Sequence, residues 1–285
     1  AGVLLKIGTY GFARFSIPLL PEAAADLMPW LIALSVAGII YGALVALAQS
    51  DIKRLIAYSS VSHLGFCMLG LFALNQLGLQ GSVLQMIAHG LSTGGLFAVV
   101  GMLYERYHTR EIAAYGGLAT KYPRLATFAL LLTFASVGLP GMAGFAGEVP
   151  SLLGAFQRAW AWTAAVEMTV MQVSTAAAVL GVVLGAWYML SLMRRLLFGP
   201  LREPSTGHPH HAPRDMNLRE VCALTPLVAA SLWIGLWPDF FTYRVEQTAQ
   251  GLLAPVADTL DRRASGMASA QLDEPAGGSE VARVD

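Results

Sequence analysis

Charged residues are scarce in this sequence. Only 13% of its 285 residues are Asp, Glu, Lys or Arg, whereas a typical soluble domain has about a quarter. Cysteine is almost absent: Cys67 and Cys222 lie in or beside apolar runs, which favours small packing residues over a disulfide or a metal site. The 18 basic residues balance the 18 acidic ones, so no excess of charge indicates nucleic acid or acidic substrates. These deficits argue against a soluble, metal-binding or nucleic-acid-binding domain.

Long apolar runs make up most of the chain, and hydrophobic residues account for 55% of it. A helix that spans a membrane needs about 20 mainly apolar residues. The sequence therefore predicts an all-α, polytopic membrane helix bundle of about seven transmembrane helices. The first segment is short for a complete span and is apolar from its start, so we expect further residues upstream. The predicted segments are 1–16, 29–48, 54–75, 80–104, 125–154, 168–198 and 219–238.

Basic residues are confined to every second connector. The connectors 49–54, 104–124 and 194–219 contain two, four and five Lys or Arg residues, whereas the alternate connectors contain only Arg158. Loops rich in Lys and Arg face the cytoplasm in most membrane proteins. We therefore predict that these three connectors are cytoplasmic.

The C-terminal stretch differs from the rest, because Ala, Gly, Ser and scattered charges replace the apolar runs. We predict a transmembrane domain over 1–245 and a disordered, non-cytoplasmic tail over 250–285. The proline-rich stretch 199–217 is predicted to be an extended loop. Its histidines, at 208, 210 and 211, are interpreted as solvated loop residues rather than a metal site.

Three ionisable residues lie inside predicted spans. Charged groups within a span cost roughly 2.5–3.5 kcal/mol each and are candidates for functional sites. At 1.5 Å per residue, Lys6, His63 and His89 all fall near the middle of the membrane. For each histidine taken alone, the alternative is a simple hydrogen bond to a neighbouring helix. For Lys6, the alternative is a side chain that extends to the membrane interface. Three such groups at one depth favour a proton path, since lysine and histidine can both exchange protons.

A glycine- and proline-rich run, GLPGMAGFAGE at 138–148, interrupts the fifth segment. Proline removes a backbone donor, and broken helices within a membrane line cavities or transport sites. A packing kink is the alternative, but it leaves Glu148 at the end of the run unexplained. We therefore include Glu148 among the candidate site residues.

Several runs resemble a known family. The longest is SDIKRLIAYSSVSHLG at 50–65, and the others are AGVLLKIGTYG at 1–11, MIAHGLSTGGLF at 86–97, YERYHTREI at 104–112 and GLPGMAGFAGE at 138–148. Together they resemble the proton-pumping, antiporter-like membrane subunits of NADH:quinone oxidoreductase (complex I), and within that family the chain M (chain 4) group. The resemblance covers roughly residues 1–245.

The resemblance implies roles for the four candidate residues. Lys6 matches the lysine of the family's eighth helix, which links two half-channels. His63 and His89 match histidines of the tenth and eleventh helices, and Glu148 matches the glutamate of the broken twelfth helix. The family has fourteen helices in two inverted repeats, so we expect this chain to hold the second repeat and the last helix.

The same resemblance implies a place in an enzyme complex. The partners would be other complex I membrane subunits, especially neighbouring antiporter-like ones, together with membrane lipid, and the location would be the cell inner (plasma) membrane. We expect no cofactor bound by this chain, since it has no Fe–S cysteine set and no flavin or dinucleotide motif. The alternatives are a subunit of a multisubunit sodium/proton antiporter or membrane-bound hydrogenase, and a non-conducting membrane scaffold.

Overall fold

Helices account for almost all of the regular structure. A computed structural model describes residues 2–162, 165–204 and 214–272, and its only β pairings within them are two isolated bridges. Five helices are long and apolar enough to cross a membrane, with mean hydropathy from 1.3 to 2.2. They are α3 (Pro21–Leu47), α4 (Ile52–Phe72), α5 (Gln76–Tyr107), α9 (Ala165–Leu197) and α10 (Leu218–Leu236).

The two other predicted spans are interrupted helices. The first consists of α1 (Lys6–Gly11), a π-helical turn (Phe12–Ser16) and α2 (Ile17–Leu19). The fifth divides into α7 (Pro123–Val137) and α8 (Ala143–Ala161), which confirms the predicted break. Gly138 ends α7 in the left-handed region with φ of 78°, a conformation that glycine adopts without the steric penalty of a Cβ.

Large apolar side chains on α3 and α9 face outward. Trp30, Leu34 and Tyr41 on α3 are 59%, 68% and 67% exposed, and Val183 and Trp187 on α9 are similarly exposed. Surfaces of this kind are unfavourable in water and suit lipid tails. The bundle is a multi-pass membrane protein.

The three basic connectors meet at one end of the bundle, which we call the basic end. A short 3₁₀ helix (Ile112–Ala114) and α6 (Leu118–Lys121) lie there. Backbone hydrogen bonds join 50–52 to 110–112 and Gly116 to Arg202. Arg106 forms a bidentate pair with Glu220 on α10 at 2.8 and 2.9 Å. The three basic connectors thus lie on the same side of the bundle, as the distribution of Lys and Arg in the sequence predicts.

Glycines bring α5 and α8 into backbone contact. A Cβ on Gly81 would lie 2.4 Å from the nitrogen of Ser151, and one on Gly154 would lie 2.4 Å from the nitrogen of Gly78. Real Cβ atoms do not approach backbone this closely, so the two helices depend on glycine at these positions. Asn75, which caps α5, also donates to the carbonyl of Gly154 at 2.7 Å. This contact fixes the position of α8 and of the residues it presents.

A helix occupies residues 250–272, which the sequence analysis assigned to a disordered tail. The last helix, α11 (Asp239–Leu272), runs through this stretch. Ala249, Leu253 and Val256 follow helical spacing and are buried in a core cluster with residues of α3 and α4, which offsets the cost of ordering them. Residue 1 and the stretches 163–164, 205–213 and 273–285 lie outside the described structure, and the loop histidines at 208, 210 and 211 are among them.

Candidate functional site

All four predicted site residues lie in one connected series of contacts. The Nζ of Lys6 hydrogen-bonds the Nδ1 of His89. The rings of His89 and His63 are 5.3 Å apart between centroids, and Nδ1 of His63 lies 2.9 Å from Oε1 of Glu148. Lys6 and His89 are 83 positions apart in the sequence, and His63 and Glu148 are 85 positions apart, yet each pair is in direct contact. We call these four residues the Lys–His–Glu axis.

The axis lies in the interior of the bundle. His63 on α4, His89 on α5 and Glu148 on α8 are 4%, 2% and 4% exposed, while Lys6 at the start of α1 is partly buried. A buried carboxylate persists only where it is paired and hydrogen-bonded. The contact with His63 provides part of that pairing, and it joins α4 to the helix break.

The break between α7 and α8 determines where Glu148 points. Gly144 approaches the carbonyl of Ala135, where a Cβ would lie only 2.2 Å away. A Cβ on Gly138 would lie 2.9 Å from Oε2 of Glu148. One oxygen of the carboxylate therefore contacts His63, and the other faces the left-handed turn that ends α7.

Three further polar residues contact the axis, and the sequence analysis missed them. Gln85 on α5 donates from Nε2 to Oε1 of Glu148 at 3.0 Å. Ser136 on α7 and Tyr188 on α9 place their hydroxyls 3.3 and 3.4 Å from Nε2 of His63. All three are neutral, so nothing in their chemistry distinguishes them from packing residues. The spacing of Gln85, one helical turn before His89, was the available signal.

The hydroxyls define how His63 can share its proton. A neutral imidazole has one N–H donor and one acceptor nitrogen. With Nδ1–H donating to Glu148, Nε2 is the acceptor for the hydroxyl of Ser136 or Tyr188. A proton that arrives at Nε2 can therefore leave from Nδ1, which is the two-sided arrangement that proton relays require.

The weakest link of the axis lies between the two histidines. Their rings are in contact, but Nε2 of His89 has no hydrogen-bond partner within the described residues. The axis thus consists of two hydrogen-bonded pairs, Lys6 with His89 and His63 with Glu148. Two positive charges 5.3 Å apart repel by about 3 kcal/mol at an effective dielectric constant of about 20. When one pair gains a proton, the loss of a proton from the other pair is therefore favoured.

In the parts of the chain that the structure describes, no three His, Cys, Asp or Glu side chains converge in a way that suits an ion. Cys67 is buried and Cys222 exposed, and neither forms a disulfide.

Comparison with known proteins places the chain in a family. The family described as NADH:quinone oxidoreductase/Mrp antiporter, TM, matches residues 1–175. NADH-quinone oxidoreductase subunit M from Rhodobacter capsulatus is 46% identical over 242 residues, which cover 85% of this chain and 44% of the relative. NADH-ubiquinone oxidoreductase chain 4 from Marchantia polymorpha is 43% identical over 243 residues, covering 85% and 46%.

Solved structures agree with these sequence relatives. A chain of respiratory complex I from Thermus thermophilus superposes with a TM-score of 0.77 at 36% identity, over 89% of this chain and 50% of that one. A chain of the Mrp complex from Dietzia sp. DQ12-45-1b has a TM-score of 0.75 at 18% identity, covering 88% and 52%, and shares the fold. The chain spans about half the length of the relatives it matches. It belongs to the NADH:quinone oxidoreductase/Mrp antiporter family of transmembrane proteins.

Proposed function

We propose that this chain is a proton-translocating part of subunit M of NADH-quinone oxidoreductase, acting in the bacterial inner membrane beside other antiporter-like subunits. The observation that supports this most is the unbroken series of contacts from Lys6 to Glu148 across four helices. The 46% identity to a subunit of that name supports the assignment to complex I. Redox chemistry would take place in other subunits.

In the proposed mechanism only protons move along the axis. Lys6 takes up a proton and passes it from Nζ to Nδ1 of His89. When His63 has also gained a proton at Nε2, repulsion between the two imidazolium rings drives the transfer of its Nδ1 proton to Oε1 of Glu148, and His63 is left neutral with its proton on Nε2. An N–H bond breaks and an O–H bond forms, so Glu148 becomes neutral. Each change of charge alters the proton affinity of the next group, which couples the transfers.

Replacement of Glu148 tests this function. Glu148→Gln keeps the size and hydrogen bonding of the side chain but cannot carry a proton, so we expect assembly to survive and proton pumping to fall sharply. Glu148→Asp retains a carboxyl group one methylene away and should keep partial activity. The measurement is proton translocation in membrane vesicles that contain the assembled complex, with a blot for assembly.

The outcomes separate the proposal from its rivals. A Glu148→Gln variant that assembles and pumps at the normal proton-to-electron ratio would remove Glu148 from the mechanism. A scaffold requires the opposite pattern, in which Gln is harmless and only bulky replacements impair assembly. A Glu148→Gln variant that lost sodium transport but kept proton transport would favour the antiporter alternative.

A further inference from the structure

The two oxygens of Glu148 have different surroundings. Oε1 accepts from two donors, Nδ1 of His63 at 2.9 Å and Nε2 of Gln85 at 3.0 Å. Oε2 faces Gly138 at the helix break. The carboxylate therefore has one oxygen directed at its proton donor and one directed away from it.

Gln85 is held firmly in place. It is 1% exposed, and a Cβ on Gly147 would lie 2.6 Å from its Cα, so α8 packs directly on the Gln85 backbone. The single hydrogen bond of its side chain within the described residues goes to Glu148. Its own Oε1 is buried there without a partner. Burying an unsatisfied amide oxygen is unfavourable, which a role confined to packing does not explain.

An amide offers both a donor and an acceptor. Its NH₂ group can donate to an ionised carboxylate, and after a rotation of the side-chain amide its oxygen can accept from a protonated carboxyl group. A lysine or arginine at this position would stabilise only the ionised form of Glu148. A glutamine can serve both forms, and the unpartnered oxygen is the one that the protonated form would use.

We propose that Gln85 is a positioning residue that changes its hydrogen bond with the protonation state of Glu148. In the ionised state its NH₂ group holds Oε1 beside His63 and leaves Oε2 at the break. After His63 has transferred its proton, the Oε1–H group donates to the flipped amide oxygen, and the new acid stays in position. Gln85 thus lets Glu148 load and release a proton without moving far. This inference rests on the proposed function.

Gln85→Met tests the inference, because methionine fills a similar volume without hydrogen bonds. We expect pumping by the assembled complex to slow about tenfold, as suits the loss of one hydrogen bond to a charged group. The matched control is Ser82→Ala. Ser82 is also buried on α5, but its hydroxyl donates to the backbone carbonyl of Cys67 at 2.7 Å and not to a side chain of the axis. Its loss should change pumping by less than about twofold.

Two further variants separate positioning from packing. In a Glu148→Asp background the carboxyl group is withdrawn from Gln85, so Gln85→Met should add less than about twofold; a packing role predicts that the two losses multiply. Gln85→Glu keeps the shape and should move the pH profile of pumping to higher pH, because adjacent carboxyl groups share one proton. If Gln85→Met does not assemble, the pH profile of Gln85→Glu tests the role of Gln85 in its place.

The inference and the proposed function fail in different ways. Normal pumping by Gln85→Met, multiplying losses, or an unshifted pH profile in Gln85→Glu would each overturn the role of Gln85 while Glu148→Gln remained defective. Normal pumping by Glu148→Gln would overturn both.

Discussion

The basic end and the Lys–His–Glu axis both bring charged side chains together, but they balance charge differently. At the basic end three cations each meet a carboxylate of their own: Arg106 with Glu220, Lys121 with Glu203, and Arg110 with Asp51 at distances of 2.8, 2.6 and 3.7 Å. In the axis three nitrogen bases share the single carboxylate of Glu148. Paired charges hold connectors in place, whereas an unequal set of titratable groups can gain or lose a proton.

Removal of Lys6 should show this difference most strongly. We expect Lys6→Met to reduce proton pumping by about a hundredfold, as is typical for the loss of a proton-transferring group, with the complex still assembled. Lys6→Arg keeps the positive charge but does not release its proton, so it should also fail. Vesicle pumping assays on both variants provide the measurement. Normal pumping by Lys6→Arg would show that charge alone, and not proton exchange, is needed there.

Removal of Arg106 should lower the stability of the complex and leave proton pumping by the assembled complex unchanged. Arg106 and Glu220 are only 12% and 13% exposed in their side chains, and Arg106 also donates to the carbonyls of Met102 and Arg214. Removing one partner of such a partly buried pair should cost between the roughly 0–1 kcal/mol of exposed pairs and the roughly 3–5 kcal/mol of fully buried ones. Arg106→Met should therefore lower the thermal stability and the amount of assembled complex, while the assembled fraction pumps normally. A stable variant that does not pump would contradict the division between the two regions.

The hydroxyl of Tyr188 gives a smaller effect within the axis. Because Ser136 remains beside Nε2 of His63, Tyr188→Phe should slow pumping by about threefold, the equivalent of one weak hydrogen bond. Tyr107→Phe is the control at the basic end, where the Tyr107 hydroxyl lies 2.6 Å from that of Tyr122. We expect it to leave pumping unchanged. Equal losses in both variants would mean that Tyr188 acts only through packing.

Lys121 should give the smallest effect. The carboxylate of Glu203 raises the pKa of Lys121 through a hydrogen bond. Since the folded-state pKa is above the unfolded value of about 10.4, the pair stabilises the fold below that pH and its contribution is lost as the pH rises through the raised pKa. Lys121→Met should cost about 0.5 kcal/mol at pH values near neutrality. Thermal unfolding in detergent should show the difference from the wild type vanish at strongly alkaline pH.

The sequence predicted the axis because charge is conspicuous in apolar runs. Lys6, His63 and His89 could be placed by counting residues along helices, and Glu148 by the glycines and proline before it. Gln85 and Tyr188 could not be found in this way, because neutral polar residues are common in buried helices. The helix over 250–272 was missed since its apolar positions, such as Leu253 and Val256, are spaced widely among small residues. The charge-rich connectors revealed a common end of the bundle, but not which cation meets which carboxylate.

The backbone contact between α5 and α8 has a mechanical consequence. Gly70 on α4 likewise meets the carbonyl of Gly78 on α5, where a Cβ would be only 2.6 Å away. Surfaces that interlock at this distance cannot slide without collision, so α4, α5 and α8 should move as one rigid body. His63, His89 and Glu148 are all attached to that body. Lys6 lies instead on α1, which is followed by a π-helical turn, a geometry frequent at functional sites. We therefore expect the distances among His63, His89 and Glu148 to stay fixed during turnover, so that any change in the spacing of the axis occurs at the contact between Lys6 and His89.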